Sequence, residues 1–229
     1  MNKIKLAGIF AFLLFVCFSC VDTSLDDVGG QVDSNKGWVA FINASPGSQH
    51  LKLFSNELGI SNTLSYNEFN AYMSVKTGSV PVSVRSGSDD LDFISVNIDK
   101  GKYYSMFAVN LPTDTELAFY EDNPVIPNDD YKTMFRFIQL SANTPKVVLK
   151  IEGNDGDFGS YNFKQASGFI ELNSFDEKLF SLVDAVSGET LVSKKVSFAP
   201  RRAYSVFSQG IMGETAQDKK LEIKVIPFN

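Results

Sequence analysis

Four segments of this chain return roughly one hundred residues later, in unchanged order. Phe41-Ile42-Asn43-Ala44-Ser45 returns as Phe137-Ile138-Gln139-Leu140-Ser141, an offset of 96. Ser65-Tyr66-Asn67 returns as Ser160-Tyr161-Asn162, an offset of 95. Tyr72-Met73-Ser74-Val75 returns as Phe169-Ile170-Glu171-Leu172 at 97, and Tyr104-Ser105-Met106-Phe107 as Tyr204-Ser205-Val206-Phe207 at 100. A slowly drifting offset is what small loop insertions produce. Two copies are too few for a solenoid, and each is long enough for its own core. The repeat therefore predicts two similar domains in tandem, residues 37–123 and 131–229. The linker is 124–130, in a stretch from Glu121 to Asp130 that two prolines and four acids make stiff and polar.

The apolar runs inside each copy are strand-length and rich in Val, Ile, Phe and Tyr. Val82-Ser83-Val84-Arg85 and Leu221-Glu222-Ile223-Lys224-Val225 alternate apolar with polar residues. That period places one face in a core and the other in water. Turn residues separate the runs, as in Ser45-Pro46-Gly47-Ser48, Asp99-Lys100-Gly101 and Gly153-Asn154-Asp155-Gly156. No long stretch has helical period and caps. The expected class is all-β, with two tandem β-sandwiches.

The first 19 residues read as an address. Lys3 and Lys5 precede an apolar run from Leu6 to Phe18, too short to span a bilayer as a helix. Ser19-Cys20 follows. A small residue before a Cys at the end of such a run resembles a bacterial lipoprotein signal, although Cys17 stands where that signal has Leu. The resemblance implies cleavage before Cys20 and a lipid, diacylglycerol with palmitate, on its thiol. Two or three acyl chains would hold the protein firmly on a membrane. Ordinary secretion and an uncleaved anchor are the competing readings. Residues 20–36 read as a flexible tether, since Asp22, Asp26, Asp27, Gly29, Gly30 and Asp33 give little to bury. An acidic stretch after the Cys resembles the surface-export signal of Bacteroidetes lipoproteins. The expected location is the outer membrane, lipid-anchored and facing outward rather than into the periplasm.

The first copy also resembles a known family. Phe41-Ile42-Asn43-Ala44-Ser45-Pro46-Gly47, then Leu64-Ser65-Tyr66 with Tyr72, Val75 and Gly78, then Ile98 to Val109 with Gly101-Lys102-Tyr103-Tyr104, are similar to three ordered motifs of the DUF4397 domain. The second copy departs: Ala142 stands for Pro46, and Arg201-Arg202 for Gly101-Lys102. The family implies an immunoglobulin- or transthyretin-like sandwich and no established activity.

Chemistry is sparse. His50 is the one histidine, and two cysteines cannot make a multi-Cys zinc site. The net charge of −6 argues against nucleic acid as partner. Glu152, Asn154, Asp155 and Asp157 offer hard oxygen donors, so Asp155 and Asp157 are weak calcium candidates, though the same run reads as a hairpin turn. Lys194, Lys195, Arg201 and Arg202 form a basic cluster. Among the aromatics, Tyr66, Phe69 and Tyr72 are the candidate binding residues, for a protein or a glycan. Tyr103 and Tyr104 are adjacent in a strand, so one points in and one out. No cofactor is called for. The sequence predicts a non-enzymatic, surface-displayed binding or adhesion module. The alternatives are a structural subunit or spacer of a surface assembly and, remotely, a carbohydrate-active enzyme.

Overall fold

A computed structural model describes residues 35–154, 156 and 158–228. Cys20, Asp155 and Asp157 lie outside the described residues.

The first eight strands are β1 (Lys36–Asn43), β2 (Leu51–Ser55), β3 (Leu58–Gly59), β4 (Phe69–Lys76), β5 (Gly78–Ser86), β6 (Asp89–Ile98), β7 (Tyr103–Val109) and β8 (Glu116–Glu121). One sheet has the order β4-β1-β7-β8 and the facing one β3-β2-β5-β6. The alternating side chains Phe41, Leu53, Val82, Val84 and Met106 meet between them. The next eight repeat the plan: β9 (Lys132–Gln139), β10 (Val147–Ile151), β11 (Ser160–Tyr161), β12 (Ile170–Asn173), β13 (Lys178–Asp184), β14 (Thr190–Val196), β15 (Ala203–Gln209) and β16 (Glu222–Pro227). Their sheets are β12-β9-β15-β16 and β11-β10-β13-β14, closed over Phe135, Phe137, Phe180, Leu182 and Val206.

The register carries the repeat. Val39 stands opposite Met73 and Tyr104 in the first sandwich, and Phe135 opposite Ile170 and Tyr204 in the second. These equivalences keep the sequence offsets of 96, 97 and 100. The hydrogen bonds repeat as well. The amide N–H of Ser45 donates to Asn43 Oδ1 at 3.1 Å, and that of Ser141 to Gln139 Oε1 at 3.1 Å. The Tyr104 hydroxyl accepts from the Asp99 N–H, and that of Tyr204 from the Ala199 N–H, each at 3.1 Å. Tyr104 is therefore the inward residue of its pair, and Tyr103 is exposed.

The departure at Arg201 has a conformational signature. Gly101 takes φ +71° in the turn before β7, and Arg201 takes φ +54° in the same turn before β15. The left-handed region costs a non-glycine residue about 1–2 kcal/mol, and glycine returns part of that as entropy on folding, about 0.5–1 kcal/mol. Arg201→Gly is accordingly expected to raise stability by about 0.5–1 kcal/mol, seen as a higher urea midpoint at unchanged slope.

The two sandwiches are not beads on a linker. The described residues all fall in one compact unit. A third apolar cluster joins Ile42, Ala44, Phe107, Val109 and Ala118 of the first to Ile138, Leu140 and Phe207 of the second. The sheets β4-β1-β7-β8 and β12-β9-β15-β16 thus have apolar contacts on both faces. This corrects the expectation that alternation leaves their outward residues in water. Ser105, Thr133, Arg136, Ser205 and Gln209 are all buried.

Candidate functional site

The seam between those two sheets is the most differentiated part of the described surface. It follows a pseudo-twofold plan. At one pole Asn67 of the first sandwich accepts a hydrogen bond from Gln209 Nε2 of the second, and Gln209 also donates to Glu222 Oε1 at 2.9 Å. In the second sandwich the place of Asn67 is taken by Lys164 and not, as the sequence match had it, by Asn162: the Asn67 N–H donates to the Asn43 carbonyl and the Lys164 N–H to the Gln139 carbonyl. Lys164 pairs with Glu116 of the first sandwich, where the ammonium holds the carboxyl below its ordinary range. Asn67 and Lys164 both have left-handed backbones, at φ +74° and +64°.

Towards the other pole the two halves have diverged. Arg136 on β9 occupies the place that Ala40 holds on β1. Its Nη2 lies 2.5 Å from Asp122 Oδ1, with side-chain exposures of 3% and 1%. Arg136 Nε donates to Ser205 Oγ at 2.8 Å and Nη1 to the Glu121 carbonyl at 2.9 Å. Its guanidinium carbon lies 5.2 to 5.6 Å from the ring centres of Tyr120, Phe169 and Phe228. Asp122 Oδ2 accepts from Ser105 Oγ at 2.6 Å and from the Tyr72 hydroxyl at 2.7 Å. Burial pushes the Asp122 carboxyl above its ordinary range, while Arg136 and the two hydroxyls pull it back. A fused tandem can hold such an asymmetric pair in its seam; two identical chains would present the same residue twice.

The structure brings the three candidate aromatics to this seam in three different states. Tyr72 is half-buried and its phenol is committed to Asp122; burial, then the adjacent carboxylate, raises its titration far above the ordinary tyrosine value. Tyr66 is half-buried, and burial followed by Glu222 and Asp218 holds its hydroxyl protonated well above its usual range. Phe69 is 47% exposed. Phe69 and Tyr72 line a groove of about 220 Å³ with Ala40, Ile42, Ile226 and Phe228. A neighbouring hollow of about 170 Å³ shares Ile42, Phe69 and Ile226 with it. The lining is mainly apolar. Edge strands β4 and β16 supply opposite walls.

The other sequence candidates do not converge. His50 is an exposed turn residue with φ +61°. Lys194 donates to the Ile223 carbonyl, Lys195 pairs with Glu177 and Arg201 with Asp130, so the basic cluster is divided among separate partners. The turn at Gly153-Asn154 closes through the Asn154 N–H to the Ile151 carbonyl at 3.1 Å. Among the described residues no three His, Cys, Asp or Glu side chains are grouped to hold a metal. The buried Arg136–Asp122 pair was missed by sequence reasoning. Its one local signal is an arginine inside Met134-Phe135-Arg136-Phe137-Ile138, where alternation alone does not separate a solvent-facing charge from a buried one.

Residues 37–150 match the family model described as "Domain of unknown function (DUF4397)". The match runs through the first sandwich and on into β9 and β10. No curated protein matches the sequence. Among solved structures, the chain is similar to a family CBM26 module of Eubacterium rectale Amy13K in complex with maltoheptaose. That likeness has 10% identity, covers 83% of this chain and 96% of the other, and has a TM-score of 0.24. It is also similar to a candidate adhesin of Bacteroides ovatus, at 11% identity, with 84% and 92% covered and a TM-score of 0.22. At TM-scores of this size neither likeness carries weight for the ligand.

Proposed function

This chain belongs to the DUF4397 family through residues 37–150, and from that premise we propose that it is a non-enzymatic binding module of the cell envelope, its second sandwich a divergent copy of the first. A lipid on Cys20 holds it on the outer membrane, facing outward. Its ligand is a protein segment that places apolar side chains in the groove between β4 and β16. The observation that supports this reading is the groove itself. Phe69 is exposed at a hollow whose other walls are Ile42, Ile226 and Phe228. Few polar groups converge there, which favours an apolar side chain over a hydroxyl-rich sugar. The flanking edge strands each offer a row of backbone donors and acceptors to an extended peptide.

A photoreactive phenylalanine analogue at position 69 tests the ligand class on intact cells. It is expected to yield a protein adduct, and the same analogue at the exposed Phe93 on edge strand β6 is not. Ile226→Asp should lower the yield about thirtyfold, the effect of losing an anchor worth about 2 kcal/mol. A Phe69-dependent glycan signal with no protein adduct would move the ligand to carbohydrate, and no dependence on Phe69 would sink the site. Palmitate labelling lost in Cys20→Ala, together with loss of the labelled band on protease shaving, is the expected result for the anchor and its direction.

A further inference from the structure

We infer that the pole where the chain enters the fold is a membrane-contacting face, which rests on the proposed lipid anchor at Cys20. The entry point is fixed by hydrogen bonds. The Asn35 carbonyl accepts from the Thr77 N–H at 3.2 Å and the Lys36 carbonyl from the Gly101 N–H at 2.9 Å. The second sandwich presents its corresponding turns at the same pole. The Asp122 N–H donates to the Tyr103 carbonyl at 2.7 Å where β8 ends, and the chain crosses from there to Tyr131. The Tyr131 carbonyl then accepts from the Ser174 N–H at 2.8 Å, and the Lys132 carbonyl from the Arg201 N–H at 2.7 Å.

Large apolar side chains are exposed along these turns, along the crossing segment and at the start of β7. Val125 is 80% exposed, Tyr131 71%, Phe175 62%, Ile126 47% and Tyr103 42%. Val125 and Ile126 stand between Pro124 and Pro127 in the segment that crosses to the second sandwich. The rings of Tyr131 and Phe175 meet edge to face at 6.2 Å. Phe175 has φ +72°, a conformation that a bulky residue rarely adopts and that here coincides with an exposed ring. None of these five side chains lines the groove at Phe69 or the hollow beside it. Exposed apolar side chains with tyrosines beside them suit the headgroup region, where an aromatic ring keeps a polar end in water.

The charge at this pole is compatible. Lys102 pairs with Glu121, Lys132 with Glu171, and Arg201 with Asp130. Lys76, Lys100 and Arg202 are exposed, with Asp99, Asp129 and Asp176 to balance them. The pole is therefore near neutral in a chain of net charge −6, so it sets up little net repulsion from an anionic leaflet. Fifteen peptide steps separate Cys20 from Asn35, so the fold can stand at most about 50 Å from its anchor. Anchor reach alone allows contact or separation. The exposed apolar side chains select contact.

Trp38 is the one tryptophan, half-buried at this pole with its ring stacked on Tyr103 at 6.1 Å. The full chain, purified from membranes and reconstituted in vesicles of phospholipid with brominated acyl chains, should lose much of its Trp38 emission. Val125→Asp with Ile126→Asp should restore the emission without lowering the melting temperature, because both side chains are exposed. Vesicle-bound chain with unquenched Trp38 would overturn the inference. A second arm uses the Cys20→Ala chain added to vesicles of anionic phospholipid. Weak flotation that the double Asp variant abolishes is expected, and no flotation counts against the face. Should the native chain carry no lipid, the anchor reading fails while this arm still decides the face.

Discussion

Arg136→Ala is expected to cost about 3–5 kcal/mol of stability, the penalty of leaving the other half of a buried ion pair uncompensated. For a unit of this size that is a fall in melting temperature of about 6–20 °C. Asp122 would keep the Ser105 and Tyr72 hydroxyls but lose its counter-charge, at 1% side-chain exposure. Its carboxyl, already raised by burial, would move further up. The folded variant would then bind a proton that the unfolded chain, with an ordinary carboxyl near about 4, releases. More protons on the folded state means that stability rises as pH falls through the raised value. The deficit relative to the parent should therefore shrink between neutral pH and about pH 5. Urea titrations at both pH values check the magnitude and the sign. The double variant Arg136→Met, Asp122→Leu removes both charges and should recover most of the loss. A full loss in the double variant would show that the hydroxyl and backbone contacts, not the charge pair, carry the energy.

The repeat made three of the four segment equivalences legible, because the offsets of 96, 97 and 100 are the offsets of matching registers. The match of Ser65-Tyr66-Asn67 to Ser160-Tyr161-Asn162 fails by two residues, since the turn that Asn67 ends is ended by Lys164. Alternation predicted that one of Tyr103 and Tyr104 points inward, and the structure shows that it is Tyr104. The seam was harder to see, although it left a trace. Met106-Phe107-Ala108-Val109 and Val206-Phe207 interrupt the alternation with apolar residues on both faces, as in strands covered on both sides. The small residues Ala40, Ser105 and Ser205 look like solvent-facing positions, and here they make room for Tyr72 and Arg136. Tyr72 was readable as an exposed aromatic only because its partner Asp122 is 50 residues away in the chain. No local pattern records such a contact. Phe69 was legible as an aromatic and not as the exposed one of the three, since that depends on β16 arriving opposite it.

Phe207→Ala should separate the unfolding of the two sandwiches. Phe107 and Phe207 are repeat-equivalent, are 0% and 2% exposed, and meet across the seam at 5.2 Å and 67°. Neither belongs to the core of its own sandwich, and both belong to the shared cluster with Ile42, Ala118 and Ile138. Truncation to alanine costs about 3–5 kcal/mol in a packed site, including an edge-to-face pair worth about 0.5–1.5 kcal/mol. The loss falls on the coupling between the halves. In the parent, Trp38 fluorescence, which reports the first sandwich, and far-ultraviolet circular dichroism, which reports both, should give one urea midpoint. In Phe207→Ala the two midpoints should part. Phe41→Ala is the control, because Phe41 lies in the first core and its loss lowers both midpoints together. Coincident midpoints in Phe207→Ala would mean that the linker and the Arg136–Asp122 pair couple the halves without the apolar seam. Phe207 also lines the hollow beside Phe69. The same substitution should therefore weaken ligand capture at position 69 in a fold that remains assembled at low denaturant, since the groove exists only while both sandwiches hold its walls in place.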